Sequence, residues 1–216
     1  MPSKRALLKE DIEIRWKILI ITKEVLKFAT YFEMPETRLE SVYIRQHRHL
    51  SFISWSLWRL AIIELCKLFG DSDNQKFNML KLLRKVGPAG DYRSLKFNQE
   101  TLAAFNERAN DLSLVIHEIN RLRNNLFAHT DSDPFDRTET FITVSECGLL
   151  AEFAEEIIRT LADTFLDTDY IANTLYFDSR SFDFIYMLAK AEQDENITIA
   201  EQANMSFKEL FGYDPL

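Results

Sequence analysis

Apolar residues at Ile14, Ile18, Ile21, Val25, Phe28 and Phe32 recur at alternating steps of four and three. That rhythm is the stripe of an amphipathic helix, and Pro35 marks its end. A second pattern runs from about Glu36 to Phe69, with Trp55, Trp58, Ile62, Leu65 and Phe69 on one stripe and Leu57, Leu60, Ala61 and Ile63 on other faces. Apolar nearly all round, that half is expected to be the central, most buried helix. The turn cluster Gly70-Asp71-Ser72-Asp73-Asn74 follows, and Phe77, Leu80, Leu83 and Val86 then predict a short third helix stopped by Gly87-Pro88.

Asn98 suits an N-cap, and Leu102, Phe105, Ala109, Leu112, Ile116, Ile119, Leu122 and Leu126 predict a long, continuous fourth helix. After the loop Thr130-Asp131-Ser132-Asp133-Pro134, the β-branched residues between Thr138 and Val144 suit a short strand. Thr143 and Glu146 have capping-box spacing and open a fifth helix with Leu150, Phe153, Ile157, Leu161 and Phe165 inward. A sixth helix is expected from Ser181 to Glu192, with a loosely packed tail to Leu216. With only five Gly and five Pro and no linker tract, the expectation is one all-α domain over residues 1–216. Its core of about five main helices spans about 8–168, and 169–216 form a helical or irregular C-terminal appendage.

Composition adds three constraints. Hydrophobic residues make up 46 % of the chain, with 17 Phe and 3 Trp, enough apolar mass to order a core without staples. Cys66 and Cys147 sit in apolar helical patterns, so they read as buried reduced thiols of a cytoplasmic protein. The charged start, Lys4 and Arg5 followed by Lys9, Glu10 and Asp11, leaves no room for a signal peptide. The most apolar runs, Ile18–Ile21 and Leu50–Trp58, fall well short of the ~20 residues that cross a bilayer. A net charge of -8 disfavours loose attraction to a polyanion, so any nucleic-acid contact must come from a local basic site.

Chemistry concentrates in Arg121-Leu122-Arg123-Asn124-Asn125-Leu126-Phe127-Ala128-His129-Thr130-Asp131. Two guanidiniums, two carboxamides, an imidazole and a carboxylate stand together at the end of an otherwise ordinary core helix. Arginine offers a planar fork of donors to phosphate oxygens, and histidine moves protons near neutral pH. Such a pair can hold and cleave a phosphodiester without a metal or other cofactor.

Arg123, Asn124, the spacer Asn125-Leu126-Phe127-Ala128 and His129 resemble the diagnostic element of the HEPN superfamily. Ala128-His129-Thr130-Asp131, together with Glu64-Leu65-Cys66-Lys67-Leu68-Phe69-Gly70-Asp71, is most similar to its abortive-infection, AbiU-like branch. The resemblance covers roughly Leu8 to Phe165 in helix order and implies a HEPN-like helical bundle. It further implies a metal-independent endoribonuclease, a toxin or phage-defence component, usually a homodimer whose two Arg and His elements line one cleft. His129 would be the general acid or base at the ribose 2′-hydroxyl and the leaving oxygen, Arg123 would stabilise charge on the phosphate, and Asn124 would orient the phosphate or the His. RNA is the implied substrate, and an antitoxin or regulatory protein an implied partner. Where HEPN proteins paired with a nucleotidyltransferase carry a Tyr two residues after the His, Asp131 stands here, which excludes tyrosine modification at that place.

Residues six apart on a regular helix point about 120° away from each other. Either the helix ends or distorts before His129, or Arg and His meet across a dimer. Arg121, Asn125 and His129 instead follow one another at steps of four on one stripe, so Arg121 and Asn125 are further candidates for holding RNA. Set against catalysis, Arg123 and His129 also suit a plain C-terminal pair on the helix dipole, and the alternative function is a non-catalytic module binding a partner protein or nucleotide. His47 and His49, two apart, point away from each other on a helix and make a poor metal pair. Arg45, Arg48 and Lys67 read as a wet helix face, and Trp55 and Trp58 as core packing rather than base-stacking platforms. Asp131, Ser132, Asp133 and Asp136 lack the Gly and terminal Glu of a Ca²⁺ loop.

Overall fold

A computed structural model describes residues 2–71, 75–124, 142–166, 168, 170, 183–212 and 214–215. The described residues are helical and contain no strand. The first helix, α1 (Lys4–Glu33), begins well before the apolar stripe, because Ser3 accepts from the Ala6 backbone N–H as its N-cap. Thr37 and Glu40 form a reciprocal capping box that opens α2 (Arg38–Gln46). α3 (Arg48–Phe69) follows without a loop, so the single helix expected from Glu36 to Phe69 is broken at His47, which lies at φ −99° and ψ 101°.

Asn78 caps α4 (Met79–Val86), and a 3-10 turn at Arg93–Leu95 leads to α5 (Gln99–Asp111), capped as expected by Asn98. The long fourth helix of the sequence reading is also two: α6 (Ser113–Leu122) starts after Leu112, whose ψ of 3° bends the chain. Some backbone hydrogen bonds carry across both breaks. The His47 and Leu112 N–H groups still donate to Tyr43 O and Arg108 O, and their own carbonyls accept from Leu50 and Ile116. The expected strand is not formed where the chain is described, since Ile142 and Thr143 are coil and Val144 already begins α7 (Val144–Leu166); residues 138–141 lie outside the described residues. The Thr143–Glu146 capping box is present, with both reciprocal bonds. α8 (Asp183–Ala203) runs further than expected, and a second capping box, Ser206 with Glu209, opens α9 (Phe207–Phe211) in the tail.

The core forms where α1 lies along α3 and α7. Leu8, Ile12 and Leu19 of α1, Ile62, Leu65 and Leu68 of α3, and Leu150, Phe153, Ile157 and Leu161 of α7 are sealed from water. Phe153 stacks on Phe69 at 6.1 Å between centroids and receives the edge of Phe105 at 6.2 Å, joining α7, α3 and α5. α3 is less uniformly buried than its all-round apolar pattern suggests: its C-terminal half is internal, but Phe52, Ile53 and Leu60 are exposed and Trp55 and Trp58 only half-buried. A smaller cluster of Tyr31, Phe32, Ile44, Leu50 and Ile185 seats α8 against the junction of α1, α2 and α3. Cys66 and Cys147 are both buried free thiols.

Candidate functional site

The element that starts at Arg123 is positioned by the last turn of α6. Cys66 Sγ of α3 donates to Ile119 O at 3.3 Å, which sets α6 against α3 one turn before the arginine. The buried side chain of Asn120 then fastens the helix end. Its Nδ2 donates to Phe69 O at 3.3 Å and to Ile116 O at 2.8 Å, and its Oδ1 accepts from the Asp71 N–H at 3.3 Å. Phe69 O is a terminal orphan carbonyl of α3 and Asp71 N–H follows its C-cap, so one amide both caps that helix end and locks it to α6. The stretch Glu64 to Asp71 is therefore the part of α3 on which the Arg123 end rests.

The close approach there depends on Gly70. A Cβ at that position would lie 2.4 Å from Cys66 O, and the space is taken by Gln75, whose Nε2 donates to the same carbonyl at 3.0 Å. Asn78 Nδ2 donates to Gly70 O at 2.6 Å, so the N-cap residue of α4 is held at this end of the bundle as well. Glu64 is buried; its Oε1 accepts from Lys67 Nζ at 2.5 Å, while Oε2 is sealed without a hydrogen-bond partner. Burial pushes the Cys66 thiol up to about 12, with the nearby positive charge of Arg123 opposing that rise. A thiol so placed stays protonated and acts as a hydrogen-bond donor rather than a nucleophile.

Arg123 and Asn124 form a π-type turn at the end of α6, entered with Arg123 still at α-helical angles (φ −58°, ψ −46°) and its N–H donating to Ile119 O. The helix end or distortion expected before His129 falls on residues 125–129, outside the described residues. Arg123 is half-buried and Asn124 exposed. Arg121 is not presented as an open fork: its Nε and Nη2 donate to the two carboxylate oxygens of Glu118, at 2.9 and 2.6 Å. A phosphate recruited by Arg121 must compete with that bidentate pair. Asn125 and His129 lie outside the described residues, as does Asp131.

Two features of this site escaped the sequence reading. Asn120 was hidden by its apolar neighbours Ile119 and Leu122, and Glu118 by its place on the wet face, although its spacing of three before Arg121 is that of a helix ion pair. Elsewhere, a groove along α7 is lined by Glu152, Glu155, Glu156, Arg159 and Thr160, a set that repels a phosphate chain. His47 and His49 are closer than helical spacing allows, with ring centroids 5.4 Å apart, because the helix breaks at His47. His47 Nδ1 lies 2.8 Å from Tyr43 O and Nε2 lies 3.0 Å from Glu192 Oε2, so the ring bridges the α2–α3 break to α8. Among the described residues no three His, Cys, Asp or Glu side chains gather in a metal-binding group, and no helix is long and apolar enough to cross a membrane.

Residues 11–195 match the family model described as AbiU2, of the HEPN class. No curated protein and no solved structure matches the chain.

Proposed function

Since the chain belongs to the AbiU2 family of HEPN-like abortive-infection proteins, we propose that it is a metal-independent endoribonuclease that acts in defence by cutting RNA. The observation that carries this reading is the placement of Arg123. It opens the Arg-Asn-x4-His element at a π-helical turn, on a helix end that Asn120 fixes to α3. The support that Asn120 gives this helix end limits the movement of a phosphate-binding guanidinium.

In this mechanism Arg123 neutralises charge that builds on the scissile phosphate, and Asn124 orients that phosphate or the imidazole. His129 takes the proton of the ribose 2′-hydroxyl or delivers one to the departing 5′-oxygen, and the same residue of a second protomer supplies the other half of the exchange. Arg121 and Asn125 contribute further contacts to the RNA backbone once Glu118 yields. The protein acts as a homodimer with both elements facing one groove, held in check by an antitoxin or regulatory protein.

End-group analysis tests the chemistry. Attack by the neighbouring ribose oxygen leaves a 2′,3′-cyclic phosphate and a 5′-hydroxyl, with chelator present and with DNA uncut; products bearing a 5′-phosphate, or turnover that needs Mg²⁺, contradict it. The pairing of Arg121 with Glu118 favours a second reading, a non-catalytic module that binds a partner through the same surface, since it removes one of two guanidiniums from the phosphate.

A further inference from the structure

Charge is unevenly distributed along this acidic chain. Between Lys76 and Lys96 stand Lys76, Lys81, Arg84, Lys85, Arg93 and Lys96 against a single acid, Asp91, whereas the rest of the chain holds 33 of its 34 acidic residues and only 20 of its 26 basic ones. The fold concentrates this excess. Tyr92 N–H donates to Lys85 O at 2.8 Å and Arg93 N–H to Gly90 O at 3.2 Å, which folds the 3-10 turn back onto the last turn of α4. The turn is this tight only because residue 90 is glycine: a Cβ there would lie 2.2 Å from both Arg84 O and Lys85 O. Arg84 and Arg93 are thereby brought onto one knob, with Lys96 adjoining through its N–H bond to Arg93 O at 3.2 Å.

Lys85 is engaged, since its Nζ donates to Asp11 Oδ2 at 2.8 Å beside the Tyr92 hydroxyl. Lys76, Arg84, Arg93 and Lys96 are exposed and make no ion pair with the described residues. Lys76, at the start of this surface, stands at the end of the bundle that carries Arg123, and α4 carries the knob about 10 Å further on. Asn120 of α6 bonds Phe69 and Asp71, and Asn78 at the start of α4 bonds the intervening Gly70.

We infer that the surface from Lys76 to Lys96 is where the phosphate backbone of single-stranded RNA docks on its way to the Arg123 end of α6. The inference rests on the ribonuclease reading for the identity of the polyanion. A basic knob on an acidic body supplies a local attraction that the whole chain, at -8, opposes, and repulsion from the acidic remainder confines the strand to it. Flexible Lys and Arg side chains at the surface suit backbone contact without sequence preference.

The test measures binding apart from cleavage, using a fluorescein-labelled 2′-O-methyl RNA oligonucleotide, which lacks the attacking hydroxyl. The full-length variant Arg84→Gln, Arg93→Gln, Lys96→Gln is compared with the parent and with Arg38→Gln, Arg45→Gln, Arg48→Gln, a matched exposed set separated from Asp11 and its contacts by about 33 Å of α1. Unchanged melting and circular dichroism establish that each is folded. The knob variant is expected to bind about tenfold or more weakly, with its plot of log affinity against log salt shallower by about 2, while the control binds as the parent does. Equal weakening in both sets, unaltered affinity in the knob variant, a parent that does not bind, or a parent that binds poly-glutamate but not RNA each overturns the inference. If the knob variant loses binding while ordinary RNA is never cut by the parent, the docking surface stands and the ribonuclease reading falls.

Discussion

Asn120 shows how much one side chain decides at this site. It satisfies a terminal carbonyl of α3 and the Asp71 N–H while holding the turn that precedes Arg123. Asn120→Ala leaves the Phe69 carbonyl buried and unpaired and unties α6 from Asp71, so unfolding by urea should show a loss of about 1–3 kcal/mol. Its importance is illegible in sequence, where it is one of several asparagines around Arg123. Asp11 is a second such hub, accepting from Lys85, Tyr92 and the wholly buried Arg15. Burial raises its pKa, but the bonds from Lys85 and Tyr92 and the charges of Arg15 and Lys85 outweigh it and hold the carboxyl below its ordinary value. Its stabilisation is complete above the unfolded carboxyl pKa of about 4 and is lost as pH falls through the lower folded value. Asp11→Asn should therefore be less stable than the parent at pH 7 and lose less on acidification, a comparison made by melting at pH 7 and pH 3.

Helix caps were readable because their chemistry is local. Asn98 and the Thr143–Glu146 pair sit where the sequence places them, and the inward stripe of α7 is buried throughout. The breaks at His47 and Leu112 were not readable, since no Gly or Pro marks either and the apolar rhythm continues across both. The length of α8 was also missed, because most of its apolar residues face water: Ile185 and Ala189 are buried while Phe184, Met187 and Leu188 are exposed. α8 packs on α2 through that narrow contact and through Glu192 on His47. Ile185→Ala is expected to cost about 2–4 kcal/mol locally, seen as faster amide exchange across α8 and α9 with α1, α3 and α7 unchanged. Faster exchange throughout the chain would show that the C-terminal segment is no appendage but part of one cooperative unit.

At the scale of the whole molecule, the all-α architecture follows from helix periodicity alone, and the family assignment adds what periodicity cannot, a reason to connect Arg123 with His129. The all-round apolar pattern of α3 encodes more than one chain buries, since Phe52 is 56 % exposed and Ile53 and Leu60 each 40 %. Exposed apolar side chains on one helix suit contact with another chain, and the proposed homodimer should appear as a two-protomer species in sedimentation at micromolar concentration. The central claim is that the Arg-to-His element cuts RNA through the imidazole, and a cleavage time course in chelator with the parent, His129→Ala and Arg123→Ala tests it most directly. The parent should cleave. His129→Ala should remain folded and bind RNA yet lose turnover by at least about a hundredfold, and Arg123→Ala should lose both turnover and part of the binding. Parent-like cleavage by a well-folded His129→Ala protein would contradict the account.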